Sequence, residues 1–292
     1  MAVSAGRRTA TIRGVSFTDA WRSFRTAIGL GWAIESNWSD PFLFAVYTVA
    51  KPLAAALILV VMFQVITGGQ GTEFLQFMIV GSALWNVVFG VMGGLVQSIL
   101  EDRERYRMMK YVVVTPASLF PFLLGRSLSR VAISFVAVAL TLLVGVLFLG
   151  LQLQPNPLYL TVAMVLGILA VMSLGIFMAG WCLQLRQEAW SYPEAIAGAL
   201  YLVSGAIFPI DVLPSILHPI AYAMPTTWWL EAARRGLLGH GAPGTLGGLS
   251  DATVLLLLTV STAIAIPLAL GAFGWFMRRA RQSGLLDMTT GS

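Results

Sequence analysis

Charged side chains are scarce in this sequence, so the places where they gather are the first candidates for chemistry. The densest run is Glu101-Asp102-Arg103-Glu104-Arg105-Tyr106-Arg107-Met108-Met109-Lys110, in which seven of ten residues are charged. Mixed signs at helical spacing, Glu101 with Arg105 and Glu104 with Arg107, predict a short helix here. Tyr106, Met108, Met109 and Tyr111 add apolar surface that a merely solvated loop does not need, and Pro116 biases Thr115 away from helix. A short helix carrying both charge and apolar surface suits docking into another protein. The plainer alternative is a solvated loop that fixes membrane topology.

Catalytic groupings are missing. The two histidines, His218 and His240, stand 22 residues apart, and Cys182 is the single cysteine, so neither a disulfide nor a His/Cys metal cluster can be assembled. A phosphate-cradling loop needs Gly-Lys followed by Ser or Thr. The only lysines are Lys51, before Pro52, and Lys110, before Tyr111, so any nucleotide chemistry belongs to another chain. Ionisable residues inside apolar stretches are limited to Lys51, the pair Glu188 and Glu194, and Asp211. Intramembrane charge is a functional candidate by default, although Lys51 could equally snorkel or pair within a helix bundle.

A second unusual segment runs from Ser204 to Gly236. Pro209, Pro214, Pro219 and Pro225 fall within 17 residues and forbid one long helix, yet the stretch stays apolar. Short broken helices dipping into the outer leaflet fit this pattern if protein covers their free backbone groups. Pro225 suits a helix start, Glu231 can reach Arg234 or Arg235 one turn on, and Trp228-Trp229 suit the interfacial belt.

The elements that hold these segments are membrane spans. The chain is 58% hydrophobic and 11% charged with a mean hydropathy of +0.82, against roughly a quarter charged for a soluble domain. A spanning helix takes about 20 apolar residues. Five stretches qualify: 43–66, 75–99, 128–150, 158–183 and 253–277. A sixth, near 194–212, is interrupted by Glu194, Pro209 and Asp211, leaving the core Ala195 to Phe208. With the N-terminus inside, segments 1–42, 100–127, 184–193 and 278–292 are cytoplasmic. They carry fourteen of the 18 basic residues: Arg7, Arg8, Arg13, Arg22, Arg25, Arg103, Arg105, Arg107, Lys110, Arg126, Arg186, Arg278, Arg279 and Arg281. Arg130 at the inner end of the third span is a fifteenth, and only Arg234 and Arg235 fall outside. The positive-inside bias therefore favours six spans with both ends inside. The expected fold is an all-α, polytopic single domain over 1–292, with a six-helix bundle over 43–277 and a cytoplasmic tail from 278.

No signal peptide is expected, because the basic N-terminus leads into the mixed stretch Phe17–Ser39 rather than an apolar core. Within it Phe17, Trp21, Phe24, Ile28 and Trp32 fall in an arc of about 80° at 100° per residue. Such a helix can lie in the headgroup plane or pack on the protein's own inner face, and the two are compatible.

At both unusual segments the chain resembles the membrane subunits of ABC-2 type exporters, including those of the daunorubicin-resistance type. The loop after the second span in that family carries an Arg-Glu pair and ends in Thr-Pro-x-Ser, matched by Arg103-Glu104 and Thr115-Pro116-Ala117-Ser118. Its fifth span runs into Ser-Gly, Phe-Pro and Leu-Pro, then Pro-Thr and a later Arg. Ser204-Gly205, Phe208-Pro209, Leu213-Pro214, Pro225-Thr226 and Arg234 follow in that order. One departure is that Tyr106-Arg107-Met108-Met109-Lys110 replaces the family's common Gly-Thr-Leu-Glu, which marks a sub-branch.

The resemblance implies a permease subunit for a hydrophobic or amphipathic cargo: a drug, a lipid or a lipid-linked glycan. It implies a second permease subunit, identical or related, and separate ATPase subunits that hold ATP and Mg, with no cofactor or metal in this chain. Membrane lipids are expected partners and nucleic acid is not. The segment 101–118 would be the coupling helix, with Arg103, Glu104, Arg105, Arg107, Lys110, Thr115 and Pro116 facing the ATPase and the 17–38 helix beside it. The stretch 207–235 would form an outer gate, involving Phe208, Trp229 and Glu231, and cargo would pass along the first, second and fifth spans. A secondary transporter or channel using Lys51 or Asp211, or a lipid-modifying enzyme using Glu188 and Glu194, are the competing readings.

Overall fold

A computed structural model describes residues 17–36, 72–107, 119–185 and 190–285, with isolated positions between 40 and 68. Most of the expected first span over 43–66, Lys51 included, the N-terminal Arg7, Arg8 and Arg13, the stretch 108–118 with Lys110, Thr115 and Pro116, and Arg186 with Glu188 lie outside the described residues. So does the tail beyond Leu285.

Every regular element among the described residues is helical. In chain order these are α1 (Phe17–Ser36), α2 (Thr72–Leu100), a π-helix (Glu101–Arg105), α3 (Leu119–Leu149), α4 (Pro157–Cys182) and α5 (Ser191–Val203). There follow the 3-10 turns Ile210–Val212 and Ser215–Leu217, α6 (His218–Ala223), α7 (Pro225–Leu238), the 3-10 turn Leu246–Gly248 and α8 (Asp251–Gln282). Four stretches, 73–105, 121–149, 157–182 and 251–282, are long and apolar enough to cross a bilayer. They coincide with the second, third, fourth and last expected spans.

The expected span near 194–212 comes out shorter. Helix α5 ends at Val203 after 13 residues, a length of about 20 Å at 1.5 Å per residue. Gly205 then takes a left-handed φ of 74°, a conformation open to glycine and costly for other residues. Pro209 lacks the amide needed to resume the helix.

Helix α2 is the axis of the bundle. Val80, Ala83, Val87, Val88, Ile99 and Leu100 are fully buried along it, between α3 on one side and α4 on the other. The close approach to α3 rests on small residues: a Cβ on Gly90 would come within 2.4 Å of Ser134 Cβ, and one on Gly94 within 3.4 Å of Ser127 Cβ. Small residues serve this purpose in membrane helix pairs, where tight van der Waals contact replaces the hydrophobic effect. Helices α3 and α8, by contrast, keep broad apolar faces outward, with Leu143, Leu147, Phe148, Leu256, Ile264 and Leu268 all exposed, as expected of lipid-facing surface.

Helix α1 lies across the start of α3. Each helix offers a glycine to the other: a Cβ on Gly125 would sit 2.4 Å from the Phe24 carbonyl, and one on Gly31 2.6 Å from the Arg126 carbonyl. One edge of the expected aromatic stripe, Phe24 and Ile28, is thereby half-buried, while the other edge stays open, Trp21 being 57% and Trp32 56% exposed. Phe17 begins the helix. The helix thus packs on its own protein and still presents two indoles outward.

Candidate functional site

The π-helix continues α2 without a break, since its cap Leu100 keeps helical backbone angles, and the Tyr106 amide donates to the Glu101 carbonyl at 2.8 Å. Widening the turn by one residue aims Glu101 and Asp102 at α3. Arg126 donates to Glu101 Oε2 at 3.0 Å and to Asp102 Oδ1 at 3.3 Å. Arg130, one turn further along α3, donates to Glu101 Oε1 at 2.6 Å and to Glu35 of α1 at 2.5 Å. Asp102 is fully buried and Arg126 nearly so. Burial of these charges is tolerable because each is paired and hydrogen-bonded.

Arg103 points the other way. It is 2% exposed, donates to the carbonyls of Cys182 at 3.1 Å and Leu185 at 3.5 Å, and meets Glu104 at 2.7 Å. Glu104 in turn accepts from the Trp190 indole at 2.9 Å. One five-residue turn therefore ties together α1, α2, α3, the end of α4 and the approach to α5.

Within the expected coupling segment, the described residues 101–107 divide into an inner and an outer group. Glu101 pairs across the helical hairpin with Arg126 and Arg130 of α3. Arg103 and Glu104 are interior fasteners; Arg105, Tyr106 and Arg107 are the exposed residues, and Arg107 takes a φ of 51° that turns the chain out of the helix. Sequence reasoning missed Glu35, Arg126 and Arg130 as members of this site. Their signal was present: two arginines four apart, opposite Glu101-Asp102 across a helical hairpin.

The other end of the bundle is built around α7. Met224 precedes it in extended geometry, Pro225 opens it, and Gly239 closes it at φ 76° while donating to Arg235. All 14 residues are buried, so Trp228 and Trp229, expected in an interfacial belt, are core instead. The reason lies opposite them: a Cβ on Gly167 of α4 would fall 1.7 Å from Trp229 Cδ1, so the missing side chain is the indole's seat. Glu231 accepts from Arg235 at 2.7 Å and from the Ala242 amide at 3.1 Å. Arg235 also reaches Leu246, Leu249 and Asp251, each at 2.7–2.8 Å. Arg234 donates through Nη2 to the carbonyls of Gly205 at 2.7 Å and Ala206 at 2.9 Å.

Of the remaining expected residues, Ser204, Gly205 and Pro209 line one small recess with Arg234. Ser204 is buried, Phe208 and Pro209 are half-buried, Leu213 is buried and Pro214 is exposed. Asp211 accepts from the Thr245 amide at 2.8 Å and hydroxyl at 2.5 Å, pinning the 3-10 turn to the loop before α8. Those two bonds hold its carboxyl below the usual carboxylate range.

Long apolar helices with outward hydrophobic faces, a charge latch at one end and a wholly buried short helix at the other define a polytopic membrane protein. The ABC-2 type transporter profile matches residues 30–238, from within α1 to the end of α7. The chain therefore belongs to the ABC-2 type transporter family, as a transporter permease subunit that acts as a membrane component of transport rather than by catalysis of its own. No curated protein matches it.

Proposed function

We propose that this chain is one half of the permease of an ATP-driven exporter in the cell membrane. Its cargo is hydrophobic or amphipathic, in the class of drugs, lipids and lipid-linked glycans, taken from the cytoplasm or inner leaflet. A second permease subunit completes the pathway, and separate ATPase subunits hold ATP and Mg. The observation that carries this reading is the latch at 101–107. Its inner residues are bonded to α3 and the end of α4, and through Arg130 to α1, and Arg105, Tyr106 and Arg107 project beyond them. A partner pressing on that projection moves α1, α2 and α3 as one body. The nucleotide must favour one arrangement over the other for this to do work, and a swing from 1:99 to 99:1 takes about 5.5 kcal/mol of differential binding.

Orientation follows from charge. Arg105, Arg107, Arg278 and Arg279 are exposed at the latch end, whereas Arg234 and Arg235 at the other end are buried among internal partners. The exposed cations thus gather at one end, which supports placing it in the cytoplasm. The segment from Gly205 to Leu238 is then the outer gate.

The test is charge reversal at the two exposed arginines, Arg105→Glu with Arg107→Glu, in the reconstituted complex. Cargo-stimulated ATP hydrolysis and transport should both fall while membrane insertion and helicity stay unchanged. Unimpaired transport by the double variant would sink the docking claim.

A further inference from the structure

A cavity opens beside the buried helix α7. It lies at the end of the bundle opposite the latch, has a volume of about 240 Å³, and is lined by Glu73 and Phe77 of α2, Arg234 of α7, and the loop from His240 to Gly247. We propose that it receives a zwitterionic phosphate headgroup, with the phosphate on Arg234 and the ammonium on Glu73.

Arg234 is the unusual group. Arg103, Arg126 and Arg235, the other buried arginines among the described residues, each meet a carboxylate within 4 Å, and Arg234 meets none of the described ones. The nearest acid on its own helix, Glu231, receives Arg235 and the Ala242 amide on Oε1; its buried Oε2 has no partner among the described residues and acts on Arg234 only at a distance. Arg234 is nevertheless 2% exposed, and its Nε has no hydrogen-bond partner among the described residues. A buried guanidinium with no carboxylate in direct contact is costly, and its planar fork is matched by oxyanions such as phosphate.

The site is built to hold it there. The guanidinium carbon stands 3.7 Å above the Phe77 ring centre, and Nη2 is fixed by two carbonyls. Room for that nitrogen comes from Gly81, where a Cβ would lie only 2.4 Å away.

Size and sign narrow the ligand. Drug-sized molecules take roughly 300–1,000 Å³, so this cavity accepts a headgroup and not a whole drug or lipid. Glu73 is exposed at the rim while Arg234 sits at the floor, so a bare anion entering would pass a carboxylate. A molecule with phosphate leading and ammonium trailing satisfies both ends. A lipid-embedded bundle meets that charge pattern in phosphoethanolamine lipids, and the same headgroup also exists free in water. The proposal is independent of transport direction.

The experiment uses the full chain in nanodiscs of equal phosphatidylethanolamine and phosphatidylglycerol, released into mild detergent, with retained lipid identified by native mass spectrometry. Wild type should retain the ethanolamine lipid in preference. Loss of a charged hydrogen bond should weaken that retention about tenfold or more in Arg234→Gln and less in Arg234→Lys. Because Arg234 also braces two carbonyls, Glu73→Arg supplies a variant at an exposed position, and it should invert the preference toward phosphatidylglycerol. Glycerophosphoethanolamine and inorganic phosphate, titrated in a thermal-shift assay without lipid, separate the sources. A shift with the former alone assigns a free headgroup, and lipid retention without any shift assigns the diacyl lipid; either result supports the site. Equal retention of the two lipids by wild type, or an unchanged preference in Glu73→Arg, overturns it.

Discussion

Replacing Arg126 with glutamine should destabilise the protein more than any other single substitution in the latch. Arg126 is 3% exposed and donates to two carboxylates, Glu101 at 3.0 Å and Asp102 at 3.3 and 3.4 Å. After the substitution Glu101 keeps Arg130 on its other oxygen. Asp102 has no such reserve: its side chain is fully buried, and Oδ2 already lacks a partner among the described residues. Breaking a buried pair by removing one member costs about 3–5 kcal/mol, because the remaining charge is stranded. The comparison is Arg130→Gln. There the arginine is 25% and Glu35 21% exposed, water can screen what is left behind, and the loss should be nearer 1 kcal/mol. The assay is built into the chain. Cys182 is its only cysteine and is fully buried, so a thiol-reactive fluorogenic dye reports unfolding in detergent. Arg126→Gln combined with Asp102→Asn should recover more than about 1 kcal/mol of the single-variant loss, as expected for directly coupled neighbours. An Arg126→Gln loss no larger than that of Arg130→Gln, or strict additivity in the double variant, would refute the reasoning.

The same thiol reporter checks stability elsewhere in the bundle, and a transport assay checks the turn after α5. Gly167→Ala should cost about 1–3 kcal/mol or more by driving a methyl into Trp229, and Trp229→Leu in the same chain should restore part of it. Phe208→Ala, at a half-buried position in the turn after α5, should change export without loss of assembly. The Asp211 carboxyl, depressed by Thr245, contributes stability that is present above its unfolded pKa and lost only as pH falls through its lower folded value. Unfolding temperature should therefore be flat from pH 7 to about pH 5 for this group, and Thr245→Val should lower it across that range.

Much of this architecture is legible in the sequence, and the reasons differ by element. Hydropathy finds α2, α3, α4 and α8, because a run of about 20 apolar residues has few alternatives to spanning. Local rules find the start of α7 at Pro225 and the pair Glu231 with Arg235, since both depend on residues within one helical turn. The latch is not legible in that way. Its pairs join Glu101 to Arg126 and Arg130 to Glu35, contacts 25 and 95 residues apart that exist only once α2 and α3 are antiparallel and α1 crosses them. The burial of Trp228 and Trp229 depends likewise on what faces them. An indole pair reads the same whether it meets headgroups or Gly167 of a neighbouring helix, and only packing decides.

The most direct test of the central claim is vanadate-sensitive ATP hydrolysis in the complex purified from native membranes through this chain. A cytoplasmic ATPase should be recovered in stoichiometric amount, with hydrolysis that cargo stimulates and that Arg105→Glu with Arg107→Glu uncouples. Transport-competent protein that purifies without an ATPase, and shows no vanadate-sensitive hydrolysis, would contradict it.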